Sequence, residues 1–221
     1  MALWFRDIDW GQIAQATLET LQMLSGSLVF VVVLGLPLGI VLFLTGNGQR
    51  WAQPGVYRGL SLLVNVIRSM PFVILLILLI PVTVAITGTS LGVVGAIPPL
   101  VIAAAPFFAR LVETALREVE PGLIEAALAM GASDAQLIMA VLLPEARRGL
   151  IAAVTVTSIA LVSDAAMSGA IGGGGLGDLA IRYGYQRFQT NVMVVTVLLL
   201  LALVQTLQFI GDRLVVHFSR K

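Results

Sequence analysis

Five stretches of about 20 residues or more, at roughly 20–44, 64–86, 91–111, 149–171 and 191–210, run almost free of charge. A helix needs about 20 consecutive apolar residues to cross the hydrocarbon core of a bilayer. Only helices and closed barrels satisfy all their backbone polar groups in that medium. Barrel strands alternate apolar and polar residues over segments of about 10; these runs are continuous. Charged residues make up 11% of the chain, against about a quarter in a soluble domain. The expected fold is therefore an all-α polytopic membrane protein, one domain over 1–221 with five transmembrane helices. The second run holds Arg68 and Pro71, so its inner part reads as a broken or interfacial helix, with the true crossing starting near Ser69.

Basic residues near the ends of spans favour the cytoplasm. Arg50 and Arg58 follow the first run; Arg110, Arg117, Arg147 and Arg148 flank the third and fourth; Arg213, Arg220 and Lys221 follow the fifth. The opposite side carries Arg6, Arg182 and Arg187. This bias puts the N-terminus outside, the C-terminus inside, and the segment 113–148 in the cytoplasm as the longest loop there. Trp4, Phe5 and Trp10 suit an outer aromatic belt. The opening residues lack a basic stretch followed by an apolar core, so no cleavable signal peptide is read. A tight external turn is expected at Thr87-Gly88-Thr89-Ser90.

The chain has no Cys and one His, His217, which excludes disulfides, thiolate chemistry and an imidazole metal cluster within one chain. A net charge of +1 gives no reason to expect nucleic acid. An intramembrane enzyme would need paired carboxylates or a nucleophile–base pair at membrane depth, and the runs offer none, so no catalytic residues are assigned.

The cytoplasmic segment is helix-forming and polar. Pro121 suits a first helical turn, and Leu123, Ala127 and Met130 then fall on one face at helical spacing. Gly131 suits a left-handed C-terminal cap. Ser133 with Gln136 three residues on reads as a capping box opening a second helix, and Pro144 fits the approach to the fourth span. Two short helices bent at Gly131 are expected, either lying on the headgroups or docking on a partner.

Within the fourth run, Thr157, Leu161, Asp164 and Ser168 share one helical stripe, with Ser158 and Ser163 at its edge and Met167 beside Asp164. An intramembrane carboxylate is costly away from a cavity or partner. Asp164 is read either as an interfacial, solvated residue or as lining a translocation path with Met167 as an apolar gate. The run Gly172–Gly177 contains G-x-G-x-x-G but follows a membrane helix and lacks a P-loop Lys, so it reads as a flexible outer turn where backbone approaches backbone. Asp178, Arg182, Tyr183, Tyr185 and Arg187 follow as a polar, aromatic external loop. Gln205 and Gln208 read as interhelical hydrogen-bonding groups, Arg68 as a snorkelling residue, and Glu113 with Arg117 as a solvated i,i+4 pair.

The pattern Glu125-Ala126-Ala127, Gly131, Val141, Leu143-Pro144 resembles the signature loop of inner-membrane permeases of bacterial ABC importers, with Val141 where that family usually has Ile. Further segments, among them Arg68-Ser69-Met70-Pro71-Phe72, Ala105-Pro106-Phe107, Leu143-Pro144-Glu145-Ala146 and Gln208-Phe209-Ile210-Gly211-Asp212-Arg213, resemble the permeases of D,L-methionine uptake transporters. The resemblance implies a type I ABC importer permease fold in the bacterial inner membrane. It also implies two copies of this chain, a cytoplasmic ATPase dimer that binds ATP and Mg, and an external substrate-binding lipoprotein. This chain would hold no cofactor. Glu125, Ala126, Ala127, Met130, Gly131, Ala132, Ser133, Leu143 and Pro144 would then form the ATPase-coupling element. Transport of the small-molecule substrate through the lipid bilayer would proceed by alternating access. Where Asp164 stands, that family usually carries an uncharged, often aromatic residue. The alternatives are another amino acid or a small organosulfur compound as cargo, and, in a different class, an intramembrane enzyme or a structural subunit.

Overall fold

The computed structural model describes residues 8–219. The N-terminal aromatic and basic residues Trp4, Phe5 and Arg6, and Arg220 and Lys221, lie outside it. Among the described residues the chain is all helix: α1 (Trp10–Thr45), α2 (Pro54–Ser69), α3 (Phe72–Leu78), α4 (Ile80–Thr87), α5 (Gly92–Arg117), α6 (Pro121–Ala129), α7 (Asp134–Gln136), α8 (Leu143–Glu145), α9 (Arg147–Gly169), α10 (Gly175–Leu179) and α11 (Thr190–Ser219). Two π-helical turns, Leu137–Leu142 and Ala180–Tyr185, follow α7 and α10. Four helices (α1, α5, α9, α11) are long and apolar enough to cross a membrane, or five if a bent pair counts as one.

The first run starts earlier than its apolar residues suggest. Asp9 caps α1, accepting from the N–H of Gly11 (3.0 Å) and Gln12 (3.2 Å), and the helix then runs 36 residues, about 54 Å at 1.5 Å per residue. The second run breaks where Pro71 falls. Met70 takes an extended conformation, as the residue before a proline must, and the chain turns 104° between α2 and α3. Pro81 then removes the donor that would reach Ile77, and the helix breaks again at Leu79. The sequence expectation of a break near Ser69 holds, and the inner part of that run belongs to α2. Gly88, left-handed at φ +78°, closes α4 as the expected tight turn.

α1 lies along α5, and together with α9 they enclose the core: Met23 and Val31 of α1, Leu100, Phe108 and Leu116 of α5, and Leu161 of α9 are buried. The approach of α1 to α5 rests on Gly35 and Gly39. A Cβ on Gly39 would stand 2.6 Å from the Ala109 carbonyl oxygen, and one on Gly35 would stand 2.9 Å from that of Ala105. Glycines four apart facing alanines four apart let two helices pack at backbone distance.

The outer-turn expectation for the glycine run changes in one respect. The backbones do approach: a Cβ on Gly177 would meet the Ala166 oxygen at 2.1 Å. The segment is tightly held, though, and not a loose turn. Glu19 of α1 accepts from Gly175 N–H at 2.8 Å, Thr20 Oγ1 accepts from Leu176 N–H at 2.9 Å, and Gly172 C=O accepts from Gly92 N–H at 2.9 Å. Asp178, Arg182, Tyr183 and Tyr185, expected in a loop, are helical because Leu176 and Leu179 insert between Ile13 and Ala16 of α1 and Val192 and Val195 of α11. Arg182 pairs with Asp178, and Arg187 lies 4.4 Å over the Tyr183 ring.

On α11 the glutamines, expected as interhelical hydrogen-bonding groups, face away from the rest of the chain. Gln208 donates within its own helix to Asp212 Oδ1 (2.8 Å), and both Gln205 and Gln208 are exposed. They lie on the side of α11 that no other helix of the chain covers.

Candidate functional site

The loop between α5 and α9 folds as two short helical segments around Gly131. Glu120 stands at the N-cap of α6 and Pro121 in its first turn. The buried face of α6 is Ile124, Ala127 and Leu128, set over the core residues Val119, Leu137 and Leu142. This corrects the expected face of Leu123, Ala127 and Met130: Ala127 alone of the three is buried, Leu123 is exposed, and Met130 is 82% exposed. The reason lies outside the helix. Val119 before it and Leu137 after it supply the floor, and they select the stripe at i, i+3, i+4 that starts from Ile124.

Gly131 ends α6 at φ +82° with open space where a Cβ would be. Its N–H donates to Leu128 C=O (3.0 Å), and the next N–H, Ala132, donates to Ala127 C=O (3.1 Å). Together these bonds form a Schellman cap. The sign of φ, rather than crowding, calls for glycine here. Ser133 and Gln136 form the expected capping box, Gln136 N–H to Ser133 Oγ at 3.3 Å and Ser133 N–H to Gln136 Oε1 at 2.9 Å. Ahead of Pro144 the helix widens to a π turn, with Leu143 N–H donating to Ile138 C=O. A proline ring clashes with the carbonyl four residues back, and the wider turn moves that carbonyl aside.

The resulting knob is apolar where it faces away from the bundle. Met130 and Met139 are 82% and 68% exposed, and Leu123, Ala126 and Ala129 are exposed beside Met130. Glu125, Gly131, Ser133 and Pro144 are also exposed, while Ala132 and Leu143 are half-buried. Exposed methionines on a rigid hairpin form an adaptable contact surface for another protein. Beneath the knob a cleft of about 510 Å³ is lined by Arg50, Arg117 and Glu125 together with Phe43, Leu128 and Leu137.

Sequence reasoning missed how the knob is tied to the bundle. Asp134 forms an ion pair with Arg50 and accepts from Trp51 Nε1 at 3.0 Å, both in the α1–α2 loop. It also misread Glu113, expected as one of a solvated pair. Glu113 is 2% exposed. Its carboxylate accepts from Arg110 Nη1 (2.6 Å), Arg117 Nη2 (2.7 Å) and Nε (3.2 Å), and Tyr57 OH (3.1 Å). The partner that buries it, Tyr57, comes from α2, which no local spacing could reveal. Arg68, expected to snorkel, is exposed and holds its guanidinium 5.5 Å over the Phe107 ring of α5.

On α9 the expected stripe divides. Thr157, Leu161 and Ser168 are buried against the protein, with the Thr157 hydroxyl donating to Ala153 C=O (2.7 Å) and that of Ser168 to Ala165 C=O (2.7 Å). Asp164, at the margin of that face, is half-buried and has no polar partner among the described residues. Met167 and Ser163 are exposed next to it. The open side of α9 is thus mixed, with Val156 and Met167 exposed beside Ala152 and Ser163, whereas α11 exposes Leu198, Leu201, Phe209 and Ile210. Among the described residues no group of three or more His, Asp or Glu could hold a metal ion.

Residues 35–221 match the family model described as the binding-protein-dependent transport system inner membrane component. The chain is similar to the probable D-methionine transport system permease protein MetI of Vibrio cholerae serotype O1, 47% identical over 97% of this chain and 95% of that one. It is also similar to the methionine import system permease protein MetP of Bacillus subtilis, 47% identical over 95% and 94% of the two chains. Among solved structures, a chain of the MetNI methionine ABC transporter in an inward-facing conformation superposes with a TM-score of 0.94 at 47% identity, covering 96% of this chain and 98% of that one.

Proposed function

The chain belongs to the family of inner-membrane components of binding-protein-dependent transport systems, and from that premise we propose that it is the membrane permease of an ATP-driven importer of D- and L-methionine. Two copies assemble with a dimeric cytoplasmic ATPase, which binds ATP and Mg, and with an external substrate-binding lipoprotein. The N-terminus lies outside and the knob inside the bacterial inner membrane. The chain itself supplies no catalytic residue and no cofactor.

The observation that carries this reading is the knob. It is an apolar surface that a lone chain has no reason to present, set on a Schellman-capped, box-capped hairpin whose ends continue into α5 and α9. ATP binding brings the ATPase subunits together, the two knobs follow as rigid bodies, and the helices fused to them swing open to the outside; hydrolysis resets them. The coupling element comprises Glu125, Ala126, Ala127, Met130, Gly131, Ala132, Ser133, Leu143 and Pro144, with the buried Ala127 seating it on the bundle and the exposed members meeting the ATPase. In the membrane, the path runs along α9 past Asp164 and Met167, with Thr157, Leu161 and Ser168 bracing that helix from behind. The names of the relatives support methionine as cargo.

Asp164 is the feature that leaves a different cargo open within the same mechanism, another amino acid or a small organosulfur compound, since a half-buried carboxylate beside the path alters what the path accepts. The test is uptake by the complex reconstituted with its ATPase and binding protein, with methionine competed against other amino acids. ATP-dependent methionine accumulation is the expected result. Accumulation of another solute with methionine ignored would leave the permease and replace the cargo.

A further inference from the structure

α2 connects the knob to α3 by contacts that run its whole length. At its start, the α1–α2 loop is folded back on α1 by Trp51 N–H to Leu44 C=O and Gln53 N–H to Thr45 C=O, each 3.1 Å. That stiffened loop is what Arg50 and Trp51 use to hold Asp134 of the knob. Along α2, residues three and four apart turn to α5. Tyr57 donates to Glu113, while Ser61 Oγ and Asn65 Oδ1 accept from Arg110 Nη2 at 2.7 and 3.1 Å. Val64 is buried with Leu42 and Ala109, and Arg68 covers Phe107. Past Ser69 the chain turns 104° into α3, which packs on α5 and α9.

We propose that α2 is a second lever for the knob's motion, carrying it to α3 alongside the direct route through α5 and α9. Asp134 and Arg50 act as positioning residues that fix the lever's knob end, and the Tyr57–Glu113–Arg110 cluster fixes its length against α5. The charges are placed to suit that task. Three hydrogen bonds cross from α2 to α5, Tyr57 OH to the buried Glu113 carboxylate and Arg110 Nη2 to Ser61 and Asn65, so α2 cannot slide on α5 without breaking them. The Arg50–Asp134 pair is exposed, and such a pair adds little to stability. Together with the Trp51–Asp134 hydrogen bond, it couples the position of the α1–α2 loop to that of the knob. The inference rests on the permease reading, since a lever needs a driven knob.

The test uses the full complex with ATPase and binding protein in proteoliposomes, reading ATP hydrolysis, methionine uptake and melting temperature together. Asp134→Asn and Arg50→Gln are expected to melt with the wild type and keep its ATPase rate, while uptake per ATP falls by about fivefold, within the range by which residues outside the ligand sites modulate coupling. Tyr57→Phe, which leaves Glu113 its two arginines, is expected to lower the ratio in the same direction. The charge swap Arg50→Asp with Asp134→Arg should recover part of the loss of the single variants, the Trp51 hydrogen bond to the Asp134 carboxylate being the part not regained. An unchanged ratio in the single variants, or a fall that the swap does not recover even in part, overturns the lever. A wild-type complex without ATP-driven uptake of any amino acid would instead overturn the permease reading beneath it.

Discussion

Gly131 adopts φ +82° and donates its N–H to Leu128. Alanine there would accept a left-handed conformation at roughly 1–2 kcal/mol, which a hairpin braced on Leu137 and Leu142 can absorb. Proline removes the bond and forbids the angle. The expected outcome for Gly131→Pro is a protein that inserts and co-purifies but hydrolyses ATP with little uptake; normal uptake by that variant would contradict the hinge. Asp164 carries its own test. Asp164→Asn should change transport or basal ATPase activity in the assembled complex if the side chain lines the path, and behaviour indistinguishable from wild type would return it to a solvated, interfacial role. At this scale the sequence is most readable where the chemistry is local. Gly131, Pro121 and the Ser133–Gln136 box are each defined by neighbours within four residues. Glu113 and Asp134 are not, because their partners Tyr57 and Arg50 lie 56 and 84 residues away.

Among the elements, the contact of α1 with α5 has the tightest steric requirement. The pattern Gly35-x-x-x-Gly39 opposite Ala105-x-x-x-Ala109 was present in the sequence, but nothing in a single chain says which helix a small-residue stripe faces. Overpacking such a contact costs about 1–3 kcal/mol, and here the opposing atom is a backbone oxygen that cannot rotate away. Gly39→Val should therefore lower the melting temperature of the purified complex by several degrees. Gly59 of α2 is the control, since nothing lies within 4 Å of its missing Cβ and its φ is an ordinary helical one. Gly59→Ala should leave stability unchanged or raise it by up to about 1 kcal/mol. Equal losses at both positions would contradict close packing as the reason for Gly39. The same scale shows why the second apolar run was only half legible. Pro71 announced a break, but the size of the turn, 104°, and the contacts that α2 makes with α5 through Tyr57, Arg110 and Glu113 join residues far apart in sequence.

For the whole molecule, hydropathy alone outlines α1, α5, α9 and α11, since a membrane leaves helices as the only open-ended solution. What it left out is the glycine end. There Gly172–Gly177 looked like a slack turn, yet Glu19 and Thr20 of α1 hold its backbone N–H groups and make it a helical plug. The two ends of the bundle thus differ in kind: one is tied into α1, and the other presents Met130 and Met139 to the surroundings. The chain has no cysteine, so single cysteines report position cleanly. The most direct measurement of the central claim is therefore cross-linking from Met130→Cys and Met139→Cys, with Phe188→Cys, 87% exposed at the glycine end, as the comparison. Cross-links from Met130→Cys and Met139→Cys to the co-expressed ATPase, and none from Phe188→Cys, are the predicted result. Cross-links from Phe188→Cys with none from the knob would contradict it.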